Sequence, residues 1–186
     1  KHPAFAGIVC QEFDVETRKL VGRVENIFAG SDHGLVEGPH LFKRAGWYYM
    51  TVAEGGTGYE HAVTMARSRC LHGPYELHPD TFLMTSKDAP DAPLQRAGHG
   101  QMVESRDGQV YHTHLCSRPL PGIRRSPLGR EAAIQKCVWR DDGWLYLESG
   151  GVLPKLEVSG PDPTCVTQPR KARHDRFMGD QLPMDF

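Results

Sequence analysis

The chain has 186 residues, enough for one ordinary domain with a real core, and its 22 Lys+Arg against 23 Asp+Glu give a formal net charge of -1. The two signs are interspersed, so no field for nucleic acid or a membrane surface is built. No apolar run reaches the roughly 18 residues of a spanning helix, the opening KHPAFAGIV lacks the layout of a signal peptide, and five widely spaced cysteines contain no C-x-x-C pair; free thiols in a soluble cytoplasmic protein are expected, with neither a zinc site nor a disulfide framework.

Twenty Gly and 14 Pro interrupt the chain too often for helices of three turns, so strands are expected. GIVCQEFDV (7–15) followed by the polar ETRKLVG (16–22) reads as a hairpin. HLFKRAGWYYMTVAE (40–54) turns at Arg44-Ala45-Gly46 between two runs of β-formers, and HAVTMARSR (61–69) then alternates apolar with polar. The grammar repeats: GQMVESRDGQVYHTHL (100–115) is a hairpin about Asp107-Gly108, AAIQKCVWR (132–140) alternates, and DDGWLYLES (141–149) supplies another Asp-Gly turn. Aligning Gly46 with Gly108 gives two units of similar layout, as the blades of a β-propeller would. The expected fold is all-β. Residues 1–158 form about two and a half blades of a five-bladed ring, and residues 159–186, rich in Pro and basic residues without a period, form a linker leaving it. Open sheet edges are costly, so missing blades are expected from elsewhere, from a second chain, or in effect from homo-oligomerisation.

Four places could carry chemistry. In GLVEGPH (34–40), Glu37 follows the apolar pair Leu35-Val36 and precedes a Gly-Pro turn. Pro39 stiffens the backbone, Gly38 permits close approach of another chain or a ligand, and the apolar neighbours would raise the carboxyl pKa, as suits a general acid. Taken alone, an ion pair with a nearby Arg or Lys is the commoner fate of such a group. In AEGGTGYEH (53–61), backbone N–H groups and the Thr57 hydroxyl could hydrogen-bond a polar ligand; the spacing is not that of a dinucleotide loop, and taken alone a plain hairpin loop is the commoner reading. In RAGHGQMV (96–103), Gly on both sides leaves the His99 imidazole room to project. Arg130, just before an alternating strand, could aim inward, where a carboxylate or polyol hydroxyls would satisfy its donors. His112 and His114 share one face of a strand with no identifiable third metal ligand, which points to structural roles.

Together GLVEGPH, AEGGTGYEHAVTMARSR, AGHGQMVE and PLGREAAIQKCVWRDDGWL resemble glycoside hydrolase family 43, in its β-xylosidase and α-L-arabinofuranosidase branch, in order from about Gly7 to the tail. The resemblance implies a five-bladed propeller with a pocket on its axis, followed in this branch by a β-sandwich. It implies inverting, exo-acting hydrolysis of β-1,4-xylooligosaccharides, with arabinofuranosidase as main activity or a non-catalytic sugar-binding propeller as alternatives. Glu37 would be the general acid, Thr57 and Arg130 would line the sugar site, and His99 would sit near the axis, where many members hold calcium or a water cluster. No cofactor is required; a lone His would be an unusual calcium ligand. Inversion needs two carboxylates roughly 6.5–9.5 Å apart. The resemblance places the base and a second, pKa-tuning Asp in the first two blades, ahead of Lys1, and starts the sandwich near RFMGDQLPMDF (176–186). The stretch 1–186 alone is therefore expected to hydrolyse nothing. The loop CSRPLPGIRRSPLGRE (116–131) is shorter than the branch leads one to expect.

Overall fold

The computed structural model describes residues 7–162, and in these every regular element is a strand. A hairpin of β1 (Ile8–Asp14) and β2 (Lys19–Phe28) comes first. Next is an antiparallel four-stranded meander of β3 (Glu37–Arg44), β4 (Trp47–Glu54), β5 (Ala62–Ser68) and β6 (Glu76–Thr85). The third sheet has β7 (Gln95–Gly98) and β8 (Met102–Glu104) side by side along β9 (Val110–Ser117), then β10 (Glu131–Trp139) and β11 (Leu145–Leu147). Two complete blades and the outer hairpin of a third match the propeller expectation. The four described cysteines, Cys10, Cys70, Cys116 and Cys137, are free, and the tail from residue 163 lies outside the described residues.

Turn chemistry sets the registers. Ala45 and Gly46 both have positive φ, 47° and 77°, which is the mirror-image two-residue turn whose twist suits a hairpin. It fixes Arg44 opposite Trp47 and the pairing back to His40 opposite Thr51; a one-residue irregularity between Glu37 and His40 then sets Glu37 opposite Ala53. In the next blade Gly108, at φ 78°, donates its N–H to the Ser105 carbonyl at 2.9 Å and closes β8 onto β9.

Three sequence expectations need correction. HAVTMARSR does not behave as a half-exposed alternating strand: six of the seven β5 residues are buried, because a central blade strand is covered by sheets on both faces. The strand β6 escaped notice because Pro79 interrupts its pattern. It is tolerated because β6 is the edge of its sheet, where one N–H fewer is not missed. The inner strand of the second blade is also broken in two, β7 and β8, at Gly98-His99-Gly100.

The main core lies between the two complete blades, where Tyr49, Val63, Met65, Leu83 and Met84 meet Ala97, Val110, Cys137 and residues Trp144 to Leu147. At the end where the β3–β4 and β10–β11 turns lie, the blades are locked. The Arg67 guanidinium lies between the rings of Trp47 (4.4 Å) and Trp144 (4.1 Å), its Nη1 donates to the Asp142 carbonyl at 2.9 Å, and the Tyr49 hydroxyl donates to the Gly143 carbonyl at 2.5 Å. A second core of Ile8, Ile27, Phe28, Val36, Met50, Val52 and Ala66 joins the first hairpin to the meander. The opposite end of the blades, where β3 starts, is left for loops.

Candidate active site

Glu37 is delivered by a loop pinned from below. Glu54, the last residue of β4, is fully buried and holds residues 29–36 in place. The Ser31 N–H donates to Glu54 Oε1 at 2.8 Å, the Ser31 hydroxyl to Oε2 at 2.6 Å, and the Thr64 hydroxyl to Oε2 at 2.5 Å. Three donors are what a carboxylate removed from water requires. The Gly55 N–H adds a bond to the Gly34 carbonyl at 2.9 Å, and His33 Nε2 meets the Glu60 carbonyl at 2.6 Å. Val36 enters the second core, so the chain reaches β3 with Glu37 half-buried. Among the described residues its carboxylate makes no ion pair and no hydrogen bond, contrary to the commoner fate of such a residue.

What approaches Gly38 is His99. Gly38 has φ +57°, and a Cβ on it would stand 2.4 Å from His99 Nε2. His99 itself has φ 48°, a left-handed conformation that costs an L residue energy and aims its ring across to the other blade. The same arrangement recurs in reverse: a Cβ on Gly98 would lie 2.3 Å from His61 Cδ2. Each blade thus offers a glycine to an imidazole of the other. The glycines of RAGHG were expected to make room for His99. Gly98 instead makes room for His61, and Gly100 for the β9 backbone, since a Cβ there would be 1.6 Å from the Thr113 carbonyl oxygen. Replacing Gly38 by Ala is expected to cost about 1–2 kcal/mol for the backbone conformation alone and to push the His99 ring aside. An unchanged urea midpoint in the Gly38→Ala protein would refute this packing.

Glu37, His99 and His61 form one electrostatic group. Burial holds His61 below the usual imidazole range; the nearby Gly56 and Glu54 backbone opposes this, the His99 charge adds to it, and Glu37 also opposes it. His40 is lowered too, by burial and then by His99. His112 and His114 lie fully buried, as expected of structural residues. The ring nitrogens of His61, His112 and His114 have no hydrogen-bond partner of good geometry among the described residues. No three His, Cys, Asp or Glu side chains come together as metal ligands among the described residues, and imidazoles do not suit calcium, so this part of the chain offers His99 no fitting donor set.

Thr57 and Arg130 do not join that group directly. Thr57 is exposed in the 55–61 loop between β4 and β5, and Arg130 is exposed just before β10; neither makes a hydrogen bond to another described residue. Strand direction nevertheless puts both at the end where Glu37 opens β3. The two loops touch through Tyr59, whose hydroxyl donates to the Arg124 carbonyl at 2.7 Å. Sequence reading missed Glu54, Tyr59 and His61. The signal for Glu54 is a lone charge closing the otherwise uncharged run WYYMTVAE, while Tyr59 and His61 stand within GGTGYEH, read only as a source of backbone donors.

The family model "Glycosyl hydrolases family 43" matches residues 1–145. The chain belongs to glycosyl hydrolase family 43. Within the family it is 59% identical over 157 residues to the "Xylosidase/arabinosidase 43B" of Humicola insolens, covering 84% of this chain and 29% of that protein. It is 41% identical over 192 residues to the "Beta-xylosidase" of Bacillus subtilis, covering 98% and 36%. The crystal structure of xylan beta-1,4-xylosidase from Bacillus halodurans superposes with a TM-score of 0.85 at 50% identity, over 98% of this chain and 35% of that one. The chain thus spans about a third of the length of these family 43 relatives. The relatives it matches carry the names of xylosidases and arabinosidases.

Proposed function

We propose that this chain is the acid-bearing part of an inverting, exo-acting β-1,4-xylosidase that removes xylose from xylooligosaccharides. The observation that carries the proposal is Glu37 itself: a carboxylate half-buried at the mouth of an innermost blade strand, beside His99, and without an ion pair among the described residues. A carboxylate neutralised by Arg or Lys would resist protonation, whereas one kept clear of cations can carry a proton to the glycosidic oxygen. Thr57 and Arg130 are assigned to sugar hydroxyls from the two neighbouring loops, and His99 to the inner wall. The base that activates water on the opposite face comes from residues beyond 1–186.

The test is hydrolysis by the complete protein of the nitrophenyl β-xyloside and the nitrophenyl α-L-arabinofuranoside, with the anomer of released xylose read by NMR. Faster xyloside release and initial α-xylose support the proposal; initial β-xylose rejects inversion. Faster arabinofuranoside release would favour the second reading, arabinofuranosidase as main activity, to which the name of the Humicola insolens relative, a xylosidase/arabinosidase, gives weight. The stretch 1–186 by itself is expected to turn over neither substrate. Measurable turnover by this stretch, shown by intact mass and sizing to be free of a second chain, would overturn the assignment of the base.

A further inference from the structure

The loop of residues 118–130 projects from the second blade with little to hold it. At its neck Arg118 grips Glu131 with its guanidinium, Nη2 to Oε1 at 2.7 Å. Within it, the Leu120 N–H donates to the Arg125 carbonyl at 2.9 Å and the Gly129 N–H to the Ser126 carbonyl at 3.0 Å, and three prolines stiffen the chain. Its apolar side chains do not dock, since Leu120, Ile123 and Leu128 are 47%, 62% and 68% exposed. The loop is stiff inside and loose outside. Among the described residues, one hydrogen bond ties it to the neighbouring blade, the bond from the Tyr59 hydroxyl to the Arg124 carbonyl at 2.7 Å.

Tyr59 is built for that task. Arg124, at φ 53°, turns its backbone so that its carbonyl takes the phenol proton while its guanidinium lies 4.0 Å from the ring centre. Arg96, on β7 of the second blade, brings a second guanidinium to 4.7 Å from the same ring. Neither arginine has an ion pair among the described residues. The ring therefore sits between two guanidinium groups that the negative face of an aromatic attracts.

We propose that Tyr59 is a positioning residue for the sugar site: it fixes the 118–130 loop, and with it Arg130, against the 55–61 loop that carries Thr57. Two side chains from adjacent blades then meet the glycoside in one fixed geometry, and the ordering of a loose flap is completed before substrate arrives. This rests on the glycosidase reading above, and it assigns Tyr59 no contact with the reacting atoms.

The experiment uses the complete protein with Tyr59→Phe and Tyr59→Leu. Phe keeps the ring among the guanidiniums and loses the hydrogen bond, so KM for xylobiose is expected to rise about 3-fold with kcat within about 2-fold of the parent. Leu loses both, and KM is expected to rise about 10-fold. Amide deuterium exchange in Tyr59→Leu should speed up in residues 118–130 and stay unchanged in β3, β4 and β9. Unchanged exchange in that loop, unchanged KM in Tyr59→Leu, or loss of protection across all strands would each overturn the proposal. An inactive parent would instead strike the glycosidase reading alone, with the exchange result still deciding whether Tyr59 holds the loop.

Discussion

Glu37→Gln in the complete enzyme is expected to slow xylobiose hydrolysis by about 10²- to 10⁴-fold, the range that a positioned proton donor contributes. Gln has the same shape, and no described ion pair is lost with the charge, so the loop pinned by Glu54 should stay in place. The loss should also depend on the leaving group. Nitrophenolate departs with little help from an acid, whereas a sugar alkoxide needs its proton during bond cleavage. The nitrophenyl xyloside should therefore lose far less rate than xylobiose does. An equal loss on both substrates would make Glu37 a binding residue and sink its assignment as the acid.

The second large effect is on stability in mild acid. Burial, with the charge of His114 and then His40 acting in the same direction, pushes the His112 pKa down to about 3; burial pushes His114 down to about 4. Both groups have folded values below the ordinary 6.5. The stability they contribute is thus fully present above pH 6.5 and is lost as pH falls toward 4 and 3, because the unfolded chain takes up protons that the folded chain refuses. At pH 5 the solution is about 1.5 units below the unfolded pKa of each imidazole while neither is yet protonated in the fold, a loss of about 2 kcal/mol apiece and about 4 kcal/mol for the pair. His61 and His78, also lowered mainly by burial, act in the same direction. Urea titrations at pH 7.5 and pH 5 measure this. A fall in unfolding free energy below about 1 kcal/mol, or an unaltered fall in a folded His112→Gln variant, would show that these rings are not held neutral.

How much of this was legible beforehand depends on what each signal encodes. Turn residues and β-formers mark local conformation, so the hairpins at Ala45-Gly46 and Asp107-Gly108 could be placed to the residue. Burial is not local: nothing in HAVTMARSR says that two sheets will cover it, and nothing in HPDTF says that Pro79 will fall on an edge. The site divides in the same way. Glu37 and His99 could be picked out as types of residue in permissive settings, and the long motifs gave them roles by resemblance. That Gly38 exists to receive the His99 ring, and Gly98 the His61 ring, is a relation between positions about forty or sixty residues apart, which single-sequence patterns do not carry. Tyr59 was overlooked for the same reason: its partner is a backbone carbonyl on another blade.

The exchanged glycines and imidazoles also bear on how this site can be redesigned. Position 38 belongs with 99 and position 98 with 61, each pair spanning the seam between blades. A library that diversifies either glycine alone puts a side chain where the facing ring lies, so most of its clones are expected to be destabilised. One that randomises each glycine together with its facing histidine searches the volume the two share. Substitutions that are harmful singly should become tolerable in pairs, with coupling energies of about 0.5–3 kcal/mol as expected for residues in contact. The seam is therefore a two-letter alphabet, and its pocket can be resized only by changing both letters together.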